Sequence, residues 1–189
     1  MNTQAIVLFI LLASIGVSAQ VDRNVAASRT RYSEVLEKAR LAESDEDRGQ
    51  YGDLIMDQLE INKLGHPWRA VGIHSITAKF FYTGGDTEEH MYPDELVLVR
   101  IERRTSSRSY RDDLLYSKAG ALILCVQKAE NDETQPAERR IYFSAGRAIG
   151  VDRGGRFSRA LTAAQRSAAA GALATSRQLK NIFSTTTKL

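Results

Sequence analysis

The sequence has little of several residue types on which small proteins often depend. Its one cysteine among 189 residues, Cys125, excludes an internal disulfide bond and any metal or redox site built on two cysteines. Three histidines and one tryptophan leave few candidates for metal ligands or aromatic ligand platforms. With 43% hydrophobic and 26% charged residues, the composition is that of a folded globular protein, and the length suits a single domain.

Long apolar runs are also missing, apart from one at the N-terminus. Residues 5–17 are apolar and uncharged, but this run is shorter than the roughly 20 residues that a membrane-crossing helix needs. Val17-Ser18-Ala19 follows and fits the pattern that a signal peptidase reads. We predict a bacterial, Sec-type signal peptide at 1–19 and a mature protein at 20–189, periplasmic or extracellular and without a membrane span. Since residues 1–4 contain no Lys or Arg, a retained membrane anchor stays an open alternative.

The charged residues are divided unevenly along the chain. Residues 20–99 hold 9 basic and 15 acidic side chains, a net of −6. Residues 100–159 carry a net of +5 and residues 160–189 a net of +4, so the C-terminal half is strongly basic. Such a half could present a basic face to an anionic partner. Alternatively, the two halves neutralise each other in the folded protein.

Helical periodicity occurs at both ends of the mature chain. Tyr32, Val35, Leu36 and Ala39 have the i, i+3, i+4, i+7 spacing of an amphipathic helix, which we expect to run from Ser28 to about Ala42. A second helix is predicted from an apolar stripe with a mean spacing of about 3.5 residues. Its members are Leu161, Ala164, Ala168, Ala172, Thr175, Leu179 and Ile182. Residues 184–189 should form a frayed tail.

Between the helices the apolar period changes to two, which indicates β-strands. Alternating segments occur at 58–61, 75–82 and 97–102, and further strands are expected at 109–116, 121–129, 138–143 and 148–152. The connections are too short for crossover helices. We therefore predict an α+β fold in which an antiparallel meander of six or seven strands packs both terminal helices on one face.

A short pattern is repeated within the predicted sheet. Residues 116–123 and 142–149 share Tyr-x-x-Ala-Gly-x-x-Ile at an offset of 26 positions. In each copy we expect the glycine, Gly120 or Gly146, to adopt a positive φ in a tight hairpin turn between two strands. The pattern predicts two consecutive hairpins of similar construction.

Recognisable catalytic motifs are absent from the sequence. Asp112 and Asp113 are adjacent on a predicted strand, so their side chains should point to opposite faces and cannot cooperate as an acid and a base. Gly-rich segments at 83–86 and 152–156 lack the lysine and the strand–helix–strand context of a phosphate-binding loop and are interpreted as turns. The second has arginines on both sides and precedes the C-terminal helix, so an anion bound at that helix N-terminus is the alternative. We expect no catalytic residues, no metal and no cofactor.

The best candidate for function is instead a face of the sheet. If the apolar positions face the helices, the opposite face receives Lys79, Arg100, Arg111, Arg140 and Tyr142, which we predict to bind a partner. The expected protein is a secreted, non-catalytic binding domain for an anionic polymer or protein, and not for nucleic acid. Two alternatives stay open: a hydrolase with a loop-borne site of His66, His90, Glu88 and Glu89, and a small-molecule carrier with a cavity between sheet and helices.

Overall fold

The fold is an antiparallel meander between two terminal helices. The computed structural model describes residues 3–44, 54–68, 72–84, 88, 92–132, 134 and 136–187. The elements, in chain order, are helix α1 (Thr3–Glu43), strands β1 (Ile55–Ile61), β2 (Pro67–Trp68), β3 (Gly72–Gly84), β4 (Pro93–Thr105), β5 (Arg108–Tyr116), β6 (Leu122–Glu130), β7 (Glu138–Ser144), β8 (Arg147–Arg153) and β9 (Arg156–Ser158), and helix α2 (Ala163–Thr186).

All described strands belong to one antiparallel sheet. Its order is β1-β3-β4-β5-β6-β7-β8-β9, with the short β2 also paired to β3. The α+β class, the meander and the terminal helices are thus confirmed. Two strands exceed the expected number, because β2 and β9 have two and three residues and are too short to show an alternating pattern.

Both hairpins of the repeated pattern form as predicted. Gly120 lies between β5 and β6 with a φ of 70°, and Gly146 lies between β7 and β8 with a φ of 72°. A side chain at these φ values would be strained, which explains why glycine occupies the same place in both turns. These two turns and the β3–β4 connection lie at the same end of the sheet.

The sheet is apolar on both faces, and each face has its own helix. Directly paired residues Phe80, Val99 and Leu114 form one core with Ala169, Ala172 and Leu179 of α2. Their chain neighbours Phe81, Leu98 and Leu115 lie on the opposite face and pack with Val25, Tyr32 and Val35 of α1. The expected placement of both helices on one face is therefore corrected: α1 and α2 cover opposite faces.

The helices are also longer than the periodicity indicated. Helix α1 begins at Thr3. Among its described side chains, Val21 is the first that packs against the core, and it is partly buried. Helix α2 begins at a capping box between Thr162 and Gln165 and continues to Thr186, three residues into the segment expected to be a frayed tail. In the part of the chain that the structure describes, no helix is long and apolar enough to cross a membrane.

Candidate functional site

The five residues predicted to bind a partner share one sheet face, but helix α1 lies on that face. Lys79 and Arg100 pair with Glu43 at the end of α1, at 3.1 and 2.8 Å between nitrogen and oxygen. Tyr142 accepts a hydrogen bond from Arg29 of α1 at 2.9 Å. Arg100 is only 5% exposed. The face that was expected to be open is covered by the chain's own N-terminal helix.

At the centre of this face, Asp113 collects the hydrogen bonds that join α1 to the sheet. Its carboxylate is 1% exposed and accepts hydrogen bonds from Tyr32 at 2.6 Å, from Arg100 at 3.0 Å and from Arg111 at 2.8 and 3.1 Å. Burial by itself would raise the pKa of Asp113, but the hydrogen bonds from Arg111 and Tyr32 and the positive charges outweigh it and lower the pKa. The buried Asp113 and Arg100 hold α1 in place, whereas Arg111 is about one-third exposed and also reaches the surface of the sheet.

Asp112 and Asp113 point to opposite faces, as the alternation of the strand predicted. Asp112 lies on the α2 face, where it accepts a hydrogen bond from Arg103 at 2.9 Å. Its pKa is raised, chiefly because it is buried, although the charge of Arg103 acts against that rise. No acid–base pair is formed by these two carboxylates.

Neither helix covers the end of the sheet that lies opposite the repeated hairpin turns. We call this region the helix-free end; it comprises the β4–β5 turn, the β6–β7 loop, the Gly154-Gly155 turn and the strand residues next to them. On the α1 face, the last row of residues in contact with the helix contains Lys79, Arg100 and Asp113. The next row contains Glu102, Arg111 and Lys128, paired side by side on β4, β5 and β6.

A cavity of about 510 Å³ opens at the helix-free end. Four cationic and two anionic side chains contribute to its lining, together with four hydroxyl-bearing residues of the strands, of which Tyr110 is one. The charged members are Arg103, Arg104, Arg111, Lys128, Glu102 and Glu130, and the hydroxyl-bearing members from β3 and the start of β5 include Ser75, Thr77 and Ser109. Guanidinium and hydroxyl groups are the donors that bind oxyanions in proteins. The cavity therefore suits an anionic group.

A second cavity of about 280 Å³ shares Arg103, Tyr110 and Lys128 with the first. It adds Asp112 and Arg139, so that three cationic side chains accompany one carboxylate. Tyr110 stands between the two cavities: Arg103 lies over its ring at 5.7 Å, and its hydroxyl donates a 2.6 Å hydrogen bond to Asp132. Apart from these shared residues, the first cavity is lined by the α1 face of the sheet, as at Arg111, and the second by the α2 face, as at Asp112 and Arg139. Cationic side chains outnumber anionic ones in the lining of each.

Only two of the four residues of the alternative hydrolase site lie in the described part of the chain. His66 is exposed in the turn after β1, where its backbone bonds to Asn62, and Glu88 is exposed beside the β3–β4 connection. Glu89 and His90 lie outside the described residues. Among the residues that the structure describes, no group of three His, Cys, Asp or Glu side chains could hold a metal ion.

Comparison of the chain with protein-family models, with curated proteins and with solved structures finds no match. The function must therefore be argued from the helix-free end itself. Four cations of this end were not predicted from the sequence as binding residues: Arg103, Arg104, Lys128 and Arg139. The sequence indicated them only through the net charge of +5 at 100–159. Pairs of apolar neighbours such as Phe80-Phe81 and Leu114-Leu115 were the signal that both sheet faces would be covered, leaving only an end exposed.

Proposed function

We propose that this chain is a secreted, non-catalytic binding domain that recognises an anionic polymer of the bacterial envelope through the helix-free end. The observation that carries the proposal is the excess of cationic over anionic side chains in the lining of the two cavities, which share three residues at the same end of the sheet. Arg103, Arg111 and Lys128 pair with carboxylates of the fold at 2.9, 2.8 and 3.4 Å, as Arg100 does with Glu43 and Asp113. At the helix-free end, Arg104 and Arg108 are exposed to solvent.

Charge and shape both favour a polymer over a compact enzyme substrate. The two cavities share three lining residues, and their donors are spread over β4, β5, β6 and β7. Neighbouring strands are about 4.8 Å apart, so these donors extend over roughly 15 Å. Arginine side chains along such a surface can contact several oxyanion groups of one chain at the same time.

A charge-reversal experiment tests the proposal. The double variant Arg104→Glu/Arg108→Glu should bind dextran sulfate, a model anionic polymer, about ten-fold more weakly than the wild type, because two attractive contacts become repulsive. Binding of the wild type should also weaken as sodium chloride is raised, since salt screens exposed charges. Fluorescence anisotropy with labelled dextran sulfate measures both effects, with neutral dextran as the non-binding probe.

The chain offers a matched control at the opposite end of the sheet. Arg147 begins β8 after a two-residue turn just as Arg108 begins β5, and Lys118 is an exposed cation of the β5–β6 turn. Lys118→Glu/Arg147→Glu makes the same change in net charge and should leave binding nearly unchanged. Equal losses in the two double variants would show that net charge alone drives binding, and the proposed site would be wrong. Tighter binding of polyglutamate than of dextran sulfate would replace the polymer by an acidic protein as the partner.

A further inference from the structure

Three arginines of the helix-free end lie side by side on directly paired positions. Arg139 of β7 pairs with Arg153 of β8, and Arg153 pairs with Arg156 of β9. Directly opposed residues in an antiparallel sheet have Cβ atoms only about 4.5–5.5 Å apart. The three side chains therefore start from adjacent positions on three successive strands; we call them the arginine row.

The register places the arginine row on the α2 face, beyond the part that α2 covers. Ile141 follows Arg139 by two residues, and Val151 precedes Arg153 by two residues. Both belong to the core beneath α2, and residues two apart on a strand share a face of the sheet. Arg153 and Arg156 are exposed, and Arg139 is half-buried beside the second cavity. The row is thus open to solvent and adjoins the second cavity through Arg139.

A two-glycine turn produces the juxtaposition of Arg153 and Arg156. Gly154 and Gly155 have φ values of 58° and 81°, the combination required by a type I′ hairpin turn. Because this turn has only two residues, the arginines on either side become the closing pair of the hairpin. The absence of Cβ atoms also leaves the turn open, since a Cβ added at either glycine would meet nothing within 4 Å.

Like charges at directly opposed positions destabilise a sheet unless something neutralises them. Arg139 donates two hydrogen bonds to Gln127, a neutral residue, at 2.6 and 3.0 Å. On the same face, Asp112 pairs with Arg103 and also interacts electrostatically with Arg139. Glu138 pairs with Arg140, and Asp152 with Arg29, on the other face. No ion pair within the described part of the chain includes Arg153 or Arg156, so their charges remain uncompensated.

We propose that the arginine row is a phosphate-binding site. A phosphate group offers several oxygens to which adjacent guanidinium groups can bind in bidentate fashion, and its negative charge would remove the repulsion within the row. This inference deepens the proposed function and rests on it for the anionic nature of the partner. The phosphate could be free or part of an envelope polymer or lipid headgroup, and the recognition chemistry is the same.

The sharpest test exploits the cost of the like charges. Without phosphate, Arg153→Gln should raise the thermal unfolding midpoint or leave it unchanged, because it relieves repulsion. Inorganic phosphate at about ten times its Kd should raise the midpoint of the wild type by roughly 3 °C, at an ionic strength held constant with sodium chloride. Arg153→Gln and Arg156→Gln should each lose most of this rise, whereas Arg153→Lys should keep part of it.

The control is Arg147→Gln, which removes an exposed arginine next to a hairpin turn that has no arginine opposite it. It should retain the full rise with phosphate. A full rise in Arg153→Gln and Arg156→Gln, or an equal loss in Arg147→Gln, would overturn the site. Stabilisation of the wild type by sodium chloride alone to the same extent would also overturn it, because screening would then explain the effect.

Further binding measurements distinguish the possible sources of the phosphate group. They also distinguish a failure of this inference from a failure of the proposed function. Tighter binding of polyphosphate than of inorganic phosphate supports a polymer, and selective binding to vesicles that contain phosphatidylglycerol supports a lipid headgroup. If Arg153→Gln loses the response to phosphate while Arg104→Glu/Arg108→Glu loses dextran sulfate, both proposals hold. If dextran sulfate fails to bind but the phosphate response depends on Arg153, the row is a site for free phosphate and the polymer proposal fails alone.

Discussion

At the scale of single residues, Asp113 shows how this protein uses its charges. One buried carboxylate accepts hydrogen bonds from a tyrosine of α1 and from two arginines of the sheet, and Glu43 of α1 completes the cluster at Arg100. Removing one partner from a buried ion pair leaves an uncompensated charge and costs far more than loss of a surface pair. The arginines of this face therefore stabilise the fold, while those of the helix-free end are exposed to ligands.

We predict that Asp113→Asn lowers the free energy of unfolding by about 3–5 kcal/mol, because Arg111 and Arg100 lose their shared buried counterion. The neighbouring Asp112→Asn is the matched control: Asp112 pairs with a half-exposed Arg103, and its substitution should cost less than about 1 kcal/mol. Urea unfolding of both variants measures the difference. Equal losses at the two positions would contradict the role given to Asp113.

The same residue predicts a dependence of stability on pH. The pKa of Asp113 in the folded protein lies below its ordinary value of 3.8, so its charge contributes stability at pH values above that value. This contribution is lost as the pH falls below about 3.8 towards the folded-state pKa. Unfolding curves of the wild type and Asp113→Asn should thus be far apart at pH 7 and converge in acid. A constant difference between pH 7 and acid would contradict this assignment.

At the scale of elements, helix α2 shows why small residues line a packed face. Its buried positions are Ala169, Ala172, Ser176 and Leu179, with Phe183 partly buried against the same core. Of the apolar stripe predicted from the sequence, Ala172 and Leu179 are buried as expected, but Ala164 and Ile182 are exposed. Alanine brings the helix close to the sheet, and Ser176 donates a 3.1 Å hydrogen bond to the buried hydroxyl of Tyr116.

We predict that Ala172→Leu destabilises the protein by about 1–3 kcal/mol, because extra methylenes do not fit between α2 and the sheet. Its exposed neighbour provides the control, since a Cβ at Gly171 would meet nothing within 4 Å. Gly171→Ala should stabilise the helix by about 1 kcal/mol. Thermal unfolding monitored by circular dichroism measures both. Unchanged or increased stability of Ala172→Leu would reveal free space beneath α2 and favour the small-molecule carrier.

At the scale of the whole molecule, the two helices cover opposite faces of the sheet, and the cationic cavities lie at the helix-free end. Helix α1 crosses its face from Ser144 in β7, near Asn24, to Lys79 in β3, near Glu43. All of the described packing of α1 comes from Val21 onward. Cleavage after Ala19 would therefore leave all of these described contacts in place.

Export and cleavage are tested by expressing the full chain in a bacterium and sequencing the N-terminus of the protein from the periplasmic fraction. We expect the mature chain to begin at Gln20, and Ala19→Tyr to block cleavage because signal peptidase requires a small residue there. Ala26→Tyr, on the exposed side of α1, is the control and should be processed normally. Recovery of the uncleaved wild type in the membrane fraction would instead establish a retained anchor.

Local patterns in the sequence were enough to predict most of the elements. The spacing of Tyr32, Val35 and Ala39 marks a helix, and the alternation at 75–82 marks a strand, because each pattern depends on residues only a few positions apart. The hairpin glycines Gly120 and Gly146 were equally predictable, since a positive φ is a local demand. Signals of this range determine the class of fold and the meander.

Only the tertiary structure decided which charges remain available for binding. Arg100 and Glu43 are 57 residues apart in the chain, and their pairing depends on the path of α1 across the sheet, which no local pattern encodes. The same holds for Arg139, Arg153 and Arg156, which become neighbours only through the register of three strands. Periodicity tells which side of an element is apolar, but not which other element will cover it. The basic character of this protein was therefore evident from its sequence, whereas the place where that charge meets solvent was set by packing.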